Sequence, residues 1–267
     1  MGFGGRFRTE IIPERVYALV KFVSYKKRTR EELRDFLQPD CVNESKQIFN
    51  NVYNFALENE LIKEDPDSLL ACGLDDETLK NHNTFRKFMA DKLLYKDKGS
   101  MFFKYTSWYL AQDKDFFKFD SAKKIQPKLT KEELINLEEV DLLAWRFWAK
   151  FLGVGILHQS FVIPNAAIRI KDVIEKSDEI KIGTEISFSN FMYWLLEKCP
   201  EFKKGISNNN LSFGVSLGLR NLHDQNLVKM QDLKDASEVW RLVRSDFHDI
   251  KDTVSHITIK GGEFYEK

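Results

Sequence analysis

The sequence predicts a mainly α-helical protein with small β-hairpins, on three observations. Apolar residues recur at helical spacing along most of the chain. Asp-Pro-Asp-Ser at 65–68 marks a tight turn between two short apolar runs. Two distant stretches, "FALENELIKED" (55–65) and "NLHDQNLVKMQD" (221–232), each close an amphipathic stripe with a polar stop, two aliphatics and a lysine. Laying Leu61-Ile62-Lys63 over Leu227-Val228-Lys229 gives an offset of 166, which pairs Phe49 with Val215, Tyr53 with Leu219 and Ala56 with Leu222. Each end then reads as three helices and a hairpin, the order of a winged helix. The expected layout is two winged-helix-like domains, 1–74 and 183–267, flanking a helical middle segment, 75–182.

Pro13 suits a first helical turn, where its missing N–H is not needed, and Val16, Leu19, Val20 and Val23 follow as a buried stripe. Thr29 and Glu32 form a capping-box pattern ahead of "REELRDFLQ", a short helix that Pro39 stops. Asn43 is placed to cap a third helix with Ile48, Val52 and Phe55 inward and Ala56 beside them. Helices are expected at "DETLKNHNTFRKFMADKLLY", "SMFFKYTSWYLAQD", "TKEELINLEEVDLLAWRFWAKFLGVGIL" (capping box Thr130 and Glu133) and "NAAIRIKDVIEK". "DKDFFKFDSAKKIQPK" reads as a loop or linker. Ser187 or Ser189 starts a helix that Pro200 stops, and Asn208 to Asn210 lie near the cap of the next. "LVKMQDLKDASEVWRLV" reads as a second hairpin turning at Asp235-Ala236-Ser237, with "VSHITIKGG" as an added strand.

The 267 residues carry 41 basic and 41 acidic side chains, so no global field draws the chain to nucleic acid. Residues 1–30 nevertheless hold Arg6, Arg8, Arg15, Lys21, Lys26, Lys27, Arg28 and Arg30 against Glu10 and Glu14. Phosphate contact needs only such a local field. Three separated cysteines support neither a disulfide framework nor a closed zinc site. No run of 18 apolar residues appears and the start lacks a signal-peptide core, so the cytoplasm is the expected location and no membrane contact is expected.

On the third helix Gln47, Asn50, Asn51 and Asn54, with Lys46, lie away from the inward stripe; amides pair bidentately with adenine in the major groove. Lys26, Lys27, Arg28 and Arg30 are placed to meet phosphates beside it. In the C-terminal counterpart Gly214 and Gly218 stand four apart, each costing a helix about 1 kcal/mol relative to alanine. Such glycines permit close approach of another backbone, so they are expected to pack against protein, either the middle segment or a partner subunit. No phosphate-binding glycine loop, His-Glu-x-x-His or Gly-x-Ser-x-Gly occurs, and no cofactor is expected. Asp246, His248 and Asp249 are the one gathering of metal-ligand types in a short stretch.

Trp108, Leu110, Gln112 and Asp113, then Trp145, Phe147, Trp148, Ala149, Leu152 and Gly153, then Pro164, Ala167 and Ile168 form three motifs. In these the chain resembles the DpdG-type proteins of bacterial gene clusters for 7-deazaguanine modification of DNA and the associated restriction of foreign DNA. The resemblance implies a non-enzymatic component that works on DNA beside helicase, ATPase or nuclease subunits, and it assigns no functional residue. The expected function is a DNA-engaging or adaptor subunit of such an anti-phage system. A winged-helix transcriptional regulator and a metal-dependent nuclease stand as alternatives.

Overall fold

A computed structural model describes residues 6–41, 45–118, 122–129, 137–159, 161–236 and 238–260. Helices dominate, with small antiparallel strand pairs. The chain divides into two compact units, Met1–Phe103 with Ser121–Phe151, and Lys104–Asp120 with Leu152–Lys267; residues between 75 and 182 are shared between them.

In the first unit α1 (Pro13–Tyr25) opens on Pro13 and buries Val16, Leu19, Val20 and Val23, as its periodicity predicts. The chain leaves it extended, and Arg28 exchanges two backbone hydrogen bonds with Leu70 (3.1 and 2.7 Å) before α2 (Arg30–Leu37) begins. Thr29 and Glu32 close the capping box: the threonine oxygen accepts the Glu32 N–H, and the glutamate accepts the Thr29 N–H. Helix α3 (Gln47–Glu58) buries Phe49, Val52, Tyr53, Phe55 and Ala56, while Ile48 is half-buried. The expected inward face is thus rotated toward Phe49 and Tyr53, because these rings fill more of the space facing α1 than Ile48 could. Strands β1 (Ile62–Glu64) and β2 (Leu70–Cys72) pair antiparallel, Ile62 opposite Cys72. The Asp65 carboxylate accepts the N–H groups of Asp67 and Leu69, and Ser68 takes a left-handed φ of 58° to complete the turn.

Beyond the hairpin, the helix expected from Asp76 starts later. Asp75 accepts the Thr78 N–H to form a turn, and Asn81 caps α4 (His82–Ala90), which runs on into one π-helical stretch, Asp91–Lys96. Helix α5 is Met101–Leu110. The segment that reads as a loop is largely helical: a 3₁₀ turn at Asp113–Lys118 buries Phe116, and α6 (Ala122–Leu129) buries Ile125 and Leu129. Two apolar residues four apart suffice to seat a short helix despite Pro127. Helix α7 (Glu139–Phe151) buries Trp145 and Trp148 and ends at Phe151, where the sequence pattern runs on to Leu157. Gly153, at φ 73°, turns the chain there. The β-branched residues after it form β3 (Gly155–His158) and β4 (Phe161–Pro164), a hairpin that helical periodicity hides. Asn43, Thr130, Glu133 and Ser237 lie outside the described residues.

In the second unit α8 (Ala167–Lys176) is followed by β5 (Glu185–Ser187) and α9 (Phe188–Lys198), with Ser187 capping α9 through the Asn190 N–H. A 3₁₀ turn at Pro200–Gly205 ends it, and Ser212 precedes α10 (Phe213–Asp224). Asn208 and Asn209 take left-handed φ in the connecting turn. Strand β6 (Val228–Gln231) does not pair with the next one, contrary to the expected hairpin. It pairs with β9 (His256–Ile259), which lies centrally in the order β5-β9-β6, while β7 (Trp240–Arg241) pairs with β8 (Thr253–Val254). Ile257 and Ile259 are fully buried, which suits a central strand better than an appended one.

The 166-residue offset holds down to single hydrogen bonds. Helices α3 and α10 are both 12 residues long and start 166 apart. Asn59 N–H bonds Phe55 O at 3.1 Å and Gln225 N–H bonds Asn221 O at 3.0 Å. Glu60 and Asn226 both sit at φ 57°, and Leu61 N–H to Ala56 O (2.8 Å) matches Leu227 N–H to Leu222 O (2.9 Å). The strand order also repeats, since the extended Arg28 stands to β2 as β5 stands to β9.

Gly214 and Gly218 are buried, and the close approach they permit is made within the chain. A Cβ on Gly218 would lie 2.7–2.9 Å from backbone atoms of Ala166 and Ala167, and one on Gly214 would meet Pro164 at 2.8 Å. Gly218→Ala is therefore expected to destabilise by about 1–3 kcal/mol through overpacking against immovable backbone. Gly99→Ala, with nothing within 4 Å, stays within about 0.5 kcal/mol. Urea unfolding of both variants, each compared with the parent, measures the difference.

Candidate nucleic-acid interface

At about 100° per residue, Gln47, Asn50, Asn51, Asn54 and Glu58 share one arc of α3 opposite its buried face. Gln47 and Asn54 are exposed, and Asn50 and Asn51 half-buried at its two edges. Lys46 stands exposed at the helix start. On the Asn50 edge, Arg30 donates to Asn50 Oδ1 at 3.0 Å and lies over the Tyr53 ring at 4.8 Å, so its guanidinium is held flat beside the stripe.

The opposite edge is built by the extended segment before α1. Phe7 is buried against Phe102, with ring centroids 5.6 Å apart, and its N–H donates to Asp141 Oδ1 at 2.7 Å. Asp141 also accepts the Glu138 N–H at 2.9 Å, and Trp148 Nε1 donates to Ile11 O at 2.7 Å. Arg6 and Arg8 flank the buried Phe7 and turn outward. Both are exposed, and Arg6 pairs with Glu138. Arg6, Arg8, Ile11, Asn51, Asn54, Phe55 and Glu58 line an open pocket of about 210 Å³. Sequence reasoning counts Arg6 and Arg8 in the local charge without assigning them to the stripe. The usable signal is the Arg-Phe-Arg alternation.

The basic patch expected at 26–30 is split by the hairpin. Lys27 Nζ lies 2.6 Å from Asp65 Oδ2, and Arg28 lies 4.3 Å over the Phe22 ring and 3.7 Å from Glu32. Phe22 in turn stacks on Phe36 at 3.9 Å. Lys26 is exposed and, among the described residues, makes no side-chain hydrogen bond or ion pair. The structure therefore gathers Arg30, Gln47, Asn50, Asn51 and Asn54 with Arg6 and Arg8, while Lys27 and Arg28 brace the base of the hairpin.

Residues 8–236 match the family described as DpdG-like. The chain belongs to the DpdG-like family. The matched span includes the whole α3 stripe, Arg8, Arg30 and α10. No curated protein and no solved structure matches the chain.

Within this DpdG-like chain the second third-helix presents nothing comparable. At the positions equivalent to Gln47, Asn50, Asn51 and Asn54 stand Phe213, Ser216, Leu217 and Arg220. Phe213 packs on Phe116 (5.0 Å) and Phe117 (5.6 Å), and Ser216 accepts the Val243 N–H. Arg220, fully buried, donates to Ile250 O, Val243 O and Asp252. The segment between β7 and β8 thus fills the face of α10 that α3 leaves open. Nearby, His248 pairs with Asp224 and Asp246 with Arg244; among the described residues no three His, Cys, Asp or Glu side chains form a metal-ligating group.

The hydrogen bond from Lys27, reinforced by the N–H of Leu69, holds the Asp65 carboxyl below its ordinary range, and the same bond raises Lys27. With a lowered folded value, the pair supports the hairpin above the unfolded carboxylate range and is lost as pH falls through the lowered midpoint. Lys27→Ala is expected to move the Asp65 midpoint upward, followed by side-chain carboxyl NMR. An unmoved midpoint would mean that the backbone donors alone set it.

Proposed function

We propose that the chain is a non-enzymatic DNA-engaging adaptor of a bacterial DNA-modification and anti-phage system, with a winged-helix N-terminal domain that meets DNA. Membership of the DpdG-like family supports a place in the Dpd 7-deazaguanine DNA modification system. The order α1, extended Arg28, α2, α3, β1, β2 supports the winged-helix reading, as does the same order in the second unit. The observation that carries the DNA reading is the amide stripe of α3, exposed at Gln47 and Asn54, half-buried at Asn50 and Asn51, and edged by Arg30 on one side and by Arg6 and Arg8 on the other. Amides suit base edges in the major groove, and guanidinium groups at both edges suit the phosphates that border it.

The second domain, its third helix filled, meets protein: the helicase, ATPase or nuclease subunits of the system. Phe247, 95% exposed, stands on a segment whose Val243 and Ile250 carbonyls are held by Arg220, and an exposed aromatic is what a protein interface uses as an anchor. Gly214 and Gly218 serve that unit from inside, by seating α10.

Lys26→Glu with Lys46→Glu, two exposed residues whose replacement leaves the fold intact, is expected to weaken duplex binding at low salt by about tenfold. The slope of log affinity against log salt falls by about 0.9 for each phosphate that is no longer neutralised. Gln47→Ala with Asn50→Ala is expected to flatten discrimination between sequences by about 1–3 kcal/mol for each base edge that is no longer read. Fluorescence anisotropy on labelled duplexes reads both effects, and affinity unchanged in every variant would sink the DNA reading.

A further inference from the structure

The pocket beside α3 holds more hydrogen-bonding capacity than the fold uses. Among the described residues, the side chains of Arg8, Asn51, Asn54 and Glu58 make no hydrogen bond or ion pair, and all four line it. Asn51 Nδ2 is shielded from solvent and has no hydrogen-bond partner among the described residues. A shielded amide donor without an acceptor costs free energy, and four converging polar groups with none spent on one another are what a ligand site looks like before its ligand arrives.

Size and charge narrow the ligand. A volume of about 210 Å³ lies below the roughly 300 Å³ at which pockets for drug-sized ligands begin. The space suits one small ring system. A free phosphate would satisfy Arg8 and the amides yet would face the Glu58 carboxylate. Arg6 adds little attraction, being already paired with Glu138. The lining offers donors from Arg8 and the amides and an acceptor from Glu58, with Ile11 and Phe55 as apolar floor. A neutral heterocycle carrying a carbonyl acceptor and N–H donors on one edge fits all of these. Such a group, next to a helix that faces the major groove, is a nucleobase turned out of its stack.

We propose that Arg8, Asn51, Asn54 and Glu58 form a pocket for a single extrahelical nucleobase, read along its polar edge, at the flank of α3. This rests on the DNA reading above and adds to it a preference for a duplex with an unpaired base.

The test compares three short labelled duplexes: fully paired, with one bulged nucleotide, and with the same bulge lacking its base. The bulged base is expected to bind at least about tenfold tighter than either control, the discrimination of one good bidentate base contact. Glu58→Gln, a solvent-facing change outside the amide stripe, brings that preference to within about twofold while leaving affinity for paired DNA, and Asn51→Leu, checked for an unchanged melting temperature, weakens binding of the bulged base by more than it weakens binding of the paired duplex. Equal binding of bulge and baseless bulge, or a preference that survives both variants, overturns the pocket and leaves the DNA reading standing. Should no DNA bind, free nucleosides and inorganic phosphate separate the two ideas. A nucleoside that shifts the Asn51 side-chain amide signal keeps the pocket while the DNA reading falls, whereas phosphate alone shifting it overturns the base pocket as well.

Discussion

Both domains depend on one backbone device, the reversal at the end of the third helix. The residue after the helix stop, Glu60 or Asn226, goes left-handed, which costs a non-glycine residue roughly 1–2 kcal/mol. Two carbonyls of the last helical turn accept N–H groups in return, and the chain leaves at once as a strand. Without that turn the strand could not reach its partner, and the three helices would have no sheet edge to close their core. The returning strand shows how tight the arrangement is. The N–H of Gly73 bonds Leu61 O, where Lys260 N–H bonds Leu227 O, and a Cβ on Gly73 would lie 2.1 Å from Glu60 O. Only glycine can pass at that point in the first copy.

One scaffold has been put to two uses by what is laid against its third helix. In the second unit the connection between β6 and β9 is long enough to contain a strand pair of its own, β7 and β8, and it lies over α10. Arg220 shows what that covering requires. A guanidinium withdrawn from water needs partners for its donors, and here Nη1 and Nη2 find two carbonyls and Asp252, while Nε has none among the described residues. In the first unit the corresponding connection is a short turn closed by Asp65, which cannot reach α3, so the polar stripe keeps its water. The difference between an open helix and a filled one is therefore set by loop length.

Much of this is legible in the sequence, and the failures have physical causes. The α1 stripe, the Thr29 capping box, the Asp65 turn and the offset between Leu61 and Leu227 are local signals, each decided within a few residues, and each appears in the structure. The pairing of β6 escapes such reading because strand partners are chosen by burial across the fold; the nearest turn signal, at Asp235, points to the wrong strand. The β3–β4 hairpin reads as helix because "GVGIL" follows a long helical run without a polar break, and Gly153 becomes visible as a stop only through its φ. Of the candidate interface, the amides and Arg30 can be found by helical spacing. Arg6 and Arg8 cannot, since what brings them to α3 is a set of bonds to Asp141 and Trp148, more than 130 residues away in sequence.

Those distant bonds give the interface its character. Arginines on a free N-terminal arm would lose several side-chain and backbone rotations on meeting a ligand, and that entropy would count against binding. Here the backbone share of that cost has been met in folding: Phe7 is buried, its N–H is held by a buried carboxylate, and Ile11 O is held by an indole. Arg30, laid on Tyr53 and bonded to Asn50, is ordered by the same logic on the other edge. The edges of the stripe are thus positioned by the core of the first unit, and on the DNA reading proposed above a substitution at Asp141 or Trp148 alters binding without touching a residue of the stripe itself.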